Sequence, residues 1–270
     1  LNILDAIIYG FVQGISEFLP VSSSGHLALL PKVLDIADPG VSFDLMMHVG
    51  TGLAILVYFY KDVISLATQY LRLIKSPFRF KQLSPFAYNF FISTITSVLF
   101  ILILMVPAKQ FGRSPLFIAF NLSLFGILMF LADKYSMVKE SFSLHEKSDS
   151  KSAILLGIAQ SIAIFPGVSR SGITLTMGRA LNLSRKKIGE YSFLMSLPII
   201  FAGALKDLIS MLRDQNISFE LTIMATGVLT SFLVGLLTIH YFLKFLVRFG
   251  LTAFMIYRIL IAIAVVIGFQ

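Results

Sequence analysis

The sequence predicts an all-α integral membrane protein built as an inverted-topology repeat, each half a re-entrant broken helix hairpin followed by three transmembrane helices. Three observations carry this expectation. The 270-residue chain is 57% hydrophobic and only 13% charged, with a mean hydropathy of +0.87, outside the range of soluble globular domains. Residues 6–25 (AIIYGFVQGISEFLPVSSSG) and 153–172 (AILLGIAQSIAIFPGVSRSG) align without a gap, and Ala6, Ile7, Gly10, Gln13, Ile15, Phe18, Val21, Ser22, Ser24 and Gly25 each meet an identical residue. The basic residues gather in alternate loops between apolar segments, the pattern that sets orientation in a bilayer.

Apolar segments fall at about 3–19, 45–60, 86–106, 115–132, 152–165, 190–205, 220–243 and 251–269. The segments at 3–19 and 152–165 stop at Pro20 and Pro166 and run into Ser/Gly-rich tips. A Gly/Pro break at corresponding places in two halves is the sign of re-entrant or discontinuous helices. The other six are read as spans. Three spans per half is an odd number, so the second half must enter the membrane from the opposite side. Residues 1–140 form the first repeat and 141–270 the second, within one membrane domain.

Charge orients the chain. Loop 61–82 holds Lys61, Arg72, Lys75, Arg79 and Lys81 against Asp62, and loop 133–151 holds Lys134, Lys139, Lys147 and Lys151. Arg185, Lys186 and Lys187 follow the second hairpin, and Lys244 and Arg248 precede the last span. Alternating topology puts all four groups on one side, which is therefore the cytoplasm. Loops 32–42, 107–114 and 206–219 and both termini face out. The net charge of +8 is accounted for in this way, and no nucleic-acid partner is expected. No basic leader precedes the first apolar stretch, so no cleavable signal peptide is expected. With no Cys in the chain, disulfides, thiolate metal sites and cysteine catalysis are excluded.

The polar residues inside this apolar chain are the candidates for function. Glu17 lies just before the Pro20 break, and an ionisable residue at membrane depth needs a cavity or a partner. Gln13, four residues earlier, shares its helical face and can help position a metal ion or water. Ser22, Ser23, Ser24 and Gly25 stand at the expected N-terminus of the next helix, where free N–H groups favour an anion. His26 can act as base, acid or nucleophile toward phosphorus. The second tip repeats this geometry with Ser169, Ser171, Gly172 and Thr174 and adds Arg170, whose donor fork fits phosphate oxygens. His48, four residues after Asp44, is a candidate wall of the same cavity, while His145 and His240 are expected in a loop and at the interface. Each residue taken alone has a plainer alternative: an interfacial carboxylate, an amide that joins helices, small residues for close packing, or an Arg170 pair with Glu17 or Glu190. Between the copies, Glu17 faces Ile164, Ser23 faces Arg170 and His26 faces Ile173. The chemistry is therefore divided between the two tips as halves of one site, and the inventory is that of phosphoryl transfer.

The pairing of QGISEFLPVSSSGH with FPGVSRSGIT resembles the undecaprenyl-pyrophosphate phosphatases, the bacitracin-resistance membrane phosphatases of bacteria, and the likeness in length and hydropathy runs end to end. The resemblance implies hydrolysis of undecaprenyl diphosphate to the monophosphate carrier used in cell-wall synthesis, in the bacterial cytoplasmic (inner) membrane, with a divalent cation (Mg or Ca). It also implies an interlocked inverted-repeat fold. Carried over position by position, the functional residues fall on Gln13, Glu17, Ser23, His26, Ser169, Arg170 and Thr174. The first motif position is often Glu in that family and here is Gln13, which leaves Glu17 as the sole strong acidic ligand or base. Glu17, Ser23, His26 and Arg170 are thus the expected catalytic residues. Gln13, Ser22, Ser24, Gly25, Ser169, Ser171, Gly172 and Thr174 are expected at the substrate, and Glu17 and Gln13 at the cation. Ser23, His26 and water all remain open as the attacking group, with Ser23 favoured. The partners implied are the lipid diphosphate and the bilayer, with room for a homodimer. The competing class is an inverted-repeat transporter or flippase of a phosphorylated lipid or anion, which has less need of Glu17, Ser23 and His26 together.

Overall fold

The computed structural model describes residues 1–34, 36, 38–111, 114–137, 144, 146–213 and 221–268. All regular elements among them are helical: α1 (Ile3–Ser16), α2 (Ser23–Leu34), α3 (Gly40–Tyr58), α4 (Tyr60–Lys75), a 3₁₀ turn (Pro77–Gln82), α5 (Pro85–Phe111), α6 (Pro115–Tyr135), α7 (Ser150–Ile162), α8 (Arg170–Ala180), α9 (Arg185–Arg213), α10 (Leu221–Phe249) and α11 (Thr252–Gly268). Local chemistry sets several boundaries. Asn2 and Asp5 exchange side-chain bonds with each other's amides, both 2.9 Å, in a capping box that starts α1. Ser114 caps α6 with Pro115 at the first helical position, and Asp149 caps α7.

Four stretches are long and apolar enough to cross a membrane: Pro85–Ala108, Pro115–Tyr135, Arg185–Lys206 and Leu221–Phe249. They match the spans expected near 86–106, 115–132, 190–205 and 220–243. The other two expected spans fall on α3 and α11. The segment at 45–60 belongs to α3, which turns by 89° into α4, so the region 61–82 is largely helical rather than a loop. α4 carries Lys61 and Asp62 at its start and Arg72 and Lys75 at its end, and those charges are why the sequence reads it as a connection rather than a span. The segment at 251–269 is α11, whose 17 residues stand at the short end of the range for a membrane crossing. The expected outer loop 107–114 is also mostly helix, because α5 continues through Pro107 to Phe111. His145 and Lys139 lie outside the described residues.

The two duplicated helices are each held by a helix of the other half. α1 runs along α10, α7 runs along α5, and α6 pairs with α11. Glycine makes both crossings close. A Cβ on Gly10 would sit 2.4 Å from the carbonyl oxygen of Gly227, and one on Gly157 would sit 2.6 Å from that of Ser93. In a bilayer, where burying apolar surface brings little driving force, such small-residue contacts and interhelical hydrogen bonds hold helices together. Ser97 Oγ accordingly donates to the Gly157 carbonyl (3.0 Å), and Ser231 Oγ to that of Met47 (2.6 Å). Outward faces carry Leu102, Ile103, Phe120, Leu237 and Leu260, each more than half exposed, a surface suited to lipid rather than water.

A buried polar knot fixes the far end of α8. Asp133, on α6, accepts from Arg179 Nε (2.7 Å), from Arg185 Nε and Nη2 (2.8 Å each) and from the Leu251 amide (3.2 Å). One carboxylate thus joins α6, α8, α9 and the approach to α11. Such a shared anion strongly resists removal of any single partner.

Candidate active site

The site grows from two equivalent chain reversals. α1 ends at Glu17, its C-cap, whose amide donates to the Gln13 carbonyl. The chain then turns through Pro20 and enters α2 from Ser22, at φ +75°, while the second copy enters α8 from Ser169, at φ +71°. Left-handed backbone is costly for a residue with a Cβ and persists where its surroundings demand it. Here it occurs at the same place in both copies and turns Ser23 and Arg170 into the first residues of their helices. Arg258 braces this arrangement from beneath. Wholly buried on α11, it donates to the carbonyls of Pro20 (3.2 Å) in the first tip and of Gly167 (2.7 Å) and Val168 (3.0 Å) in the second. Further bonds reach the Asn121 and Leu122 carbonyls of α6. Ser171 Oγ adds a direct tie, donating to the Leu19 carbonyl (3.1 Å).

Between the tips lies a cavity of about 250 Å3 with Glu17, Ser22, Ser23, Ser24, His48, Gln160, Ser169 and Arg170 as its polar wall and Leu45, Ile101, Ile164, Ile199 and Ile200 as its apolar one. Glu17 is the hub. One carboxylate oxygen pairs with Arg170 Nη2. The other accepts from Ser23 Oγ at 2.7 Å and from Gln13 Nε2 at 3.0 Å, and His48 Nε2 approaches it to 3.3 Å. The pairing of Arg170 with Glu17, one of the plainer alternatives from the sequence, is therefore present, and it sits in the cavity wall rather than apart from it. Glu190 instead faces Lys186 at 4.0 Å. Two helix N-termini and a guanidinium converge on this one cavity, an arrangement that favours an anion.

Other expected residues turn elsewhere. His26 Nδ1–H donates to the Ser22 carbonyl (2.8 Å), and the Tyr257 hydroxyl donates to its Nε2 (2.7 Å), with the two rings stacked. That side chain lines a separate, apolar cavity of about 440 Å3 with Phe11, Val12, Ile15, Leu19, Phe254 and Tyr257. The Gly25 amide donates to the Ser22 carbonyl (3.1 Å) and the Gly172 amide to Ser169 Oγ (3.2 Å). Thr174 Oγ1 donates to the Arg170 carbonyl (2.8 Å) and also meets Ser192 Oγ. Gly25, Ser171, Gly172 and Thr174 therefore shape the tips from within. Arg258 and Tyr257 escaped the sequence reading, although a lone Arg inside TAFMIYRILIAIAVVIG is itself a mark of a demanding position.

The residues around Glu17 suit a hard cation. Gln13 Oε1 is buried without a hydrogen-bond partner, and with Glu17 and Ser23 Oγ it offers oxygen donors alone, the preference of Mg and Ca. No group of three or more His, Cys, Asp or Glu able to hold a metal occurs among the described residues. A cation held here would take its remaining ligands from phosphate oxygens and water.

A helical membrane protein with a carboxylate, a serine and an arginine gathered between two opposed helix ends is, as a class, a polytopic protein with a buried centre for anionic groups. The comparisons with known proteins narrow this: the model of the bacitracin resistance protein BacA family matches residues 6–264, and the chain belongs to that family. It is 37% identical over 270 residues to an undecaprenyl-diphosphatase of Moorella thermoacetica, covering 100% of this chain and 98% of that one. An undecaprenyl-diphosphatase of Idiomarina loihiensis is 35% identical over 269 residues, with 100% of each chain covered. A third, of Aliivibrio salmonicida, is 38% identical over 259 residues, covering 95% and 94%.

Proposed function

We propose that this chain is an undecaprenyl-diphosphatase, a membrane phosphatase that hydrolyses undecaprenyl diphosphate to undecaprenyl phosphate and phosphate and so confers bacitracin resistance. The observation that carries the reading is the 2.7 Å bond from Ser23 Oγ to Glu17 Oε2: a nucleophile and its proton acceptor in contact, with Arg170 on the same carboxylate. The relatives' activity agrees with it.

The diphosphate enters between the N-termini of α2 and α8 and takes over the Arg170 fork, releasing one Glu17 oxygen from its ion pair. Ser23 Oγ attacks the terminal phosphorus as its proton passes to Glu17. The bond from that phosphorus to the bridging oxygen breaks, and the bridging electron pair leaves with undecaprenyl phosphate. Glu17 passes its proton on to the leaving bridging oxygen. Water then attacks the phosphoseryl group; its proton goes to Glu17 and from there to Ser23 Oγ as the bond from Ser23 Oγ to phosphorus breaks, and free phosphate departs. Most of the acceleration comes from positioning and from donors that meet developing charge. A divalent cation held by Gln13, Glu17 and Ser23 would supply further charge neutralisation. His26, through the Ser22 carbonyl, holds the strained entry to α2 and so aims Ser23.

The topology belongs to the same reading. Reciprocal packing of α1 on α10 and α7 on α5, equivalent glycines at both crossings and paired left-handed serines support two inverted repeats, 1–140 and 141–270. The basic loops would then face the cytoplasm, in the inner membrane of a bacterium, with a homodimer left open by this arrangement.

Purified protein in detergent with undecaprenyl diphosphate tests the function. Phosphate release, diminished by a chelator, is expected. Absence of release in detergent, with substrate moving only across sealed vesicles, would make the chain a carrier.

A further inference from the structure

α4 carries two apolar faces, and only one is used inside the protein. Val63, Leu66 and Tyr70 pack on the main core, and Tyr70 Oη donates to the Ala87 carbonyl at 2.8 Å. A second stripe, Tyr60, Ile64, Leu71 and Ile74 (spacing i, i+4, i+11, i+14), is 53%, 60%, 59% and 77% exposed. Beside it runs an exposed polar arc of Lys61, Ser65, Thr68, Arg72 and Lys75, with three cations and no acid. Asp62 lies away from that arc, by the 3.6-residue period.

The direction of the helix gives this pattern its meaning. α3 has 19 residues, about 28 Å at 1.5 Å per residue, close to the thickness of a hydrocarbon core. An 89° turn at its end sets α4 at a right angle to α3, and with α3 upright in the bilayer α4 lies along the membrane plane. We infer that α4 is an interfacial helix: the Tyr60–Ile74 stripe is sunk among acyl chains at the membrane surface, and Lys61, Arg72 and Lys75 engage anionic lipid headgroups. An apolar stripe beside a basic one, with low net hydrophobicity, is the composition such helices use. Each cation near an anionic surface adds about 1 kcal/mol, roughly fivefold. A partner protein covering the stripe would leave three unopposed cations along its edge, whereas an anionic bilayer answers both faces.

The chain contains no Trp, so Leu71→Trp in the full-length protein places a single indole on the stripe. In vesicles of phosphatidylcholine and phosphatidylglycerol its emission should be blue-shifted, inaccessible to aqueous iodide and quenched by lipids brominated near the headgroup end of the chain. Thr68→Trp, on the polar arc, should be quenched by iodide instead. Raising the phosphatidylglycerol fraction should strengthen lipid quenching of Leu71→Trp, and Lys61→Gln, Arg72→Gln and Lys75→Gln together should abolish that gain. Ile74→Trp serves if the first variant does not fold. Red-shifted, iodide-accessible emission from the stripe would overturn the inference. So would shielding from both iodide and brominated lipid, which would mean that a second copy covers the face, and so would quenching indifferent to phosphatidylglycerol.

Discussion

Replacing Glu17 by Gln keeps the size of the side chain and removes its charge, which makes it the sharpest perturbation of the site. Glu17 accepts from Ser23 at 2.7 Å and from Gln13 at 3.0 Å, and pairs with Arg170. Loss of the proton acceptor should lower kcat by roughly 10²- to 10⁴-fold, the usual range for general base catalysis. At 1.36 kcal/mol per factor of ten, that is about 3–5 kcal/mol of barrier. A second effect acts on stability. The Glu17 and Arg170 side chains are only 4% and 17% exposed, so the variant leaves a nearly buried cation with the Ser196 carbonyl at 3.3 Å. Stripping one partner from a buried pair is destabilising by about 3–5 kcal/mol, with partial access to the cavity favouring the low end. Substrate supplies the missing negative charge, so Glu17→Gln should melt earlier than wild type when empty and gain more from added lipid diphosphate. Phosphate release under saturating and limiting substrate, with thermal unfolding by circular dichroism, reads both effects. The reasoning fails if kcat stays within about tenfold of wild type, since proton transfer would then belong to His48, His26 or solvent.

Other substitutions probe separate parts of the account. Arg170→Lys keeps the charge but loses the bidentate fork, and most activity should vanish with it; near-normal turnover would reduce Arg170 to a structural ion pair. Gly157→Ala drives a Cβ to 2.6 Å from the Ser93 carbonyl. It should destabilise by about 1–3 kcal/mol through overpacking, as the matching Gly10→Ala should, and unchanged melting would mean that the crossings can relax. Because the chain lacks Cys, Lys147→Cys offers a clean topology test: it should resist an impermeant maleimide in intact cells and react after permeabilisation. Labelling from outside would invert the proposed orientation.

Much of the site was legible because the chain repeats itself. The gapless alignment places Ser23 opposite Arg170, and the structure brings these two helix starts together around Glu17. Spacing of four residues put Gln13 on the face of Glu17, and the two do bond. What escaped were contacts made across long sequence distances. His26 sits in the same motif as Ser23, yet Tyr257, 231 residues away, holds its ring toward the apolar cavity. Arg258 finds its partners among backbone carbonyls, which no side-chain pattern announces. α4 was hidden for a different reason: its basic residues signal a cytoplasmic loop by the positive-inside rule, and the same residues form one arc of an amphipathic helix.

The central claim is that Ser23, with Glu17 as its base, accepts the terminal phosphoryl group of a lipid diphosphate. Rapid quenching of purified protein with undecaprenyl diphosphate radiolabelled in its terminal phosphate, followed by peptide mapping, tests it most directly. The account predicts an acid-stable label on the peptide containing Ser23, absent from Ser23→Ala. An acid-labile label at His26, or full turnover by Ser23→Ala with no labelled peptide, would contradict it.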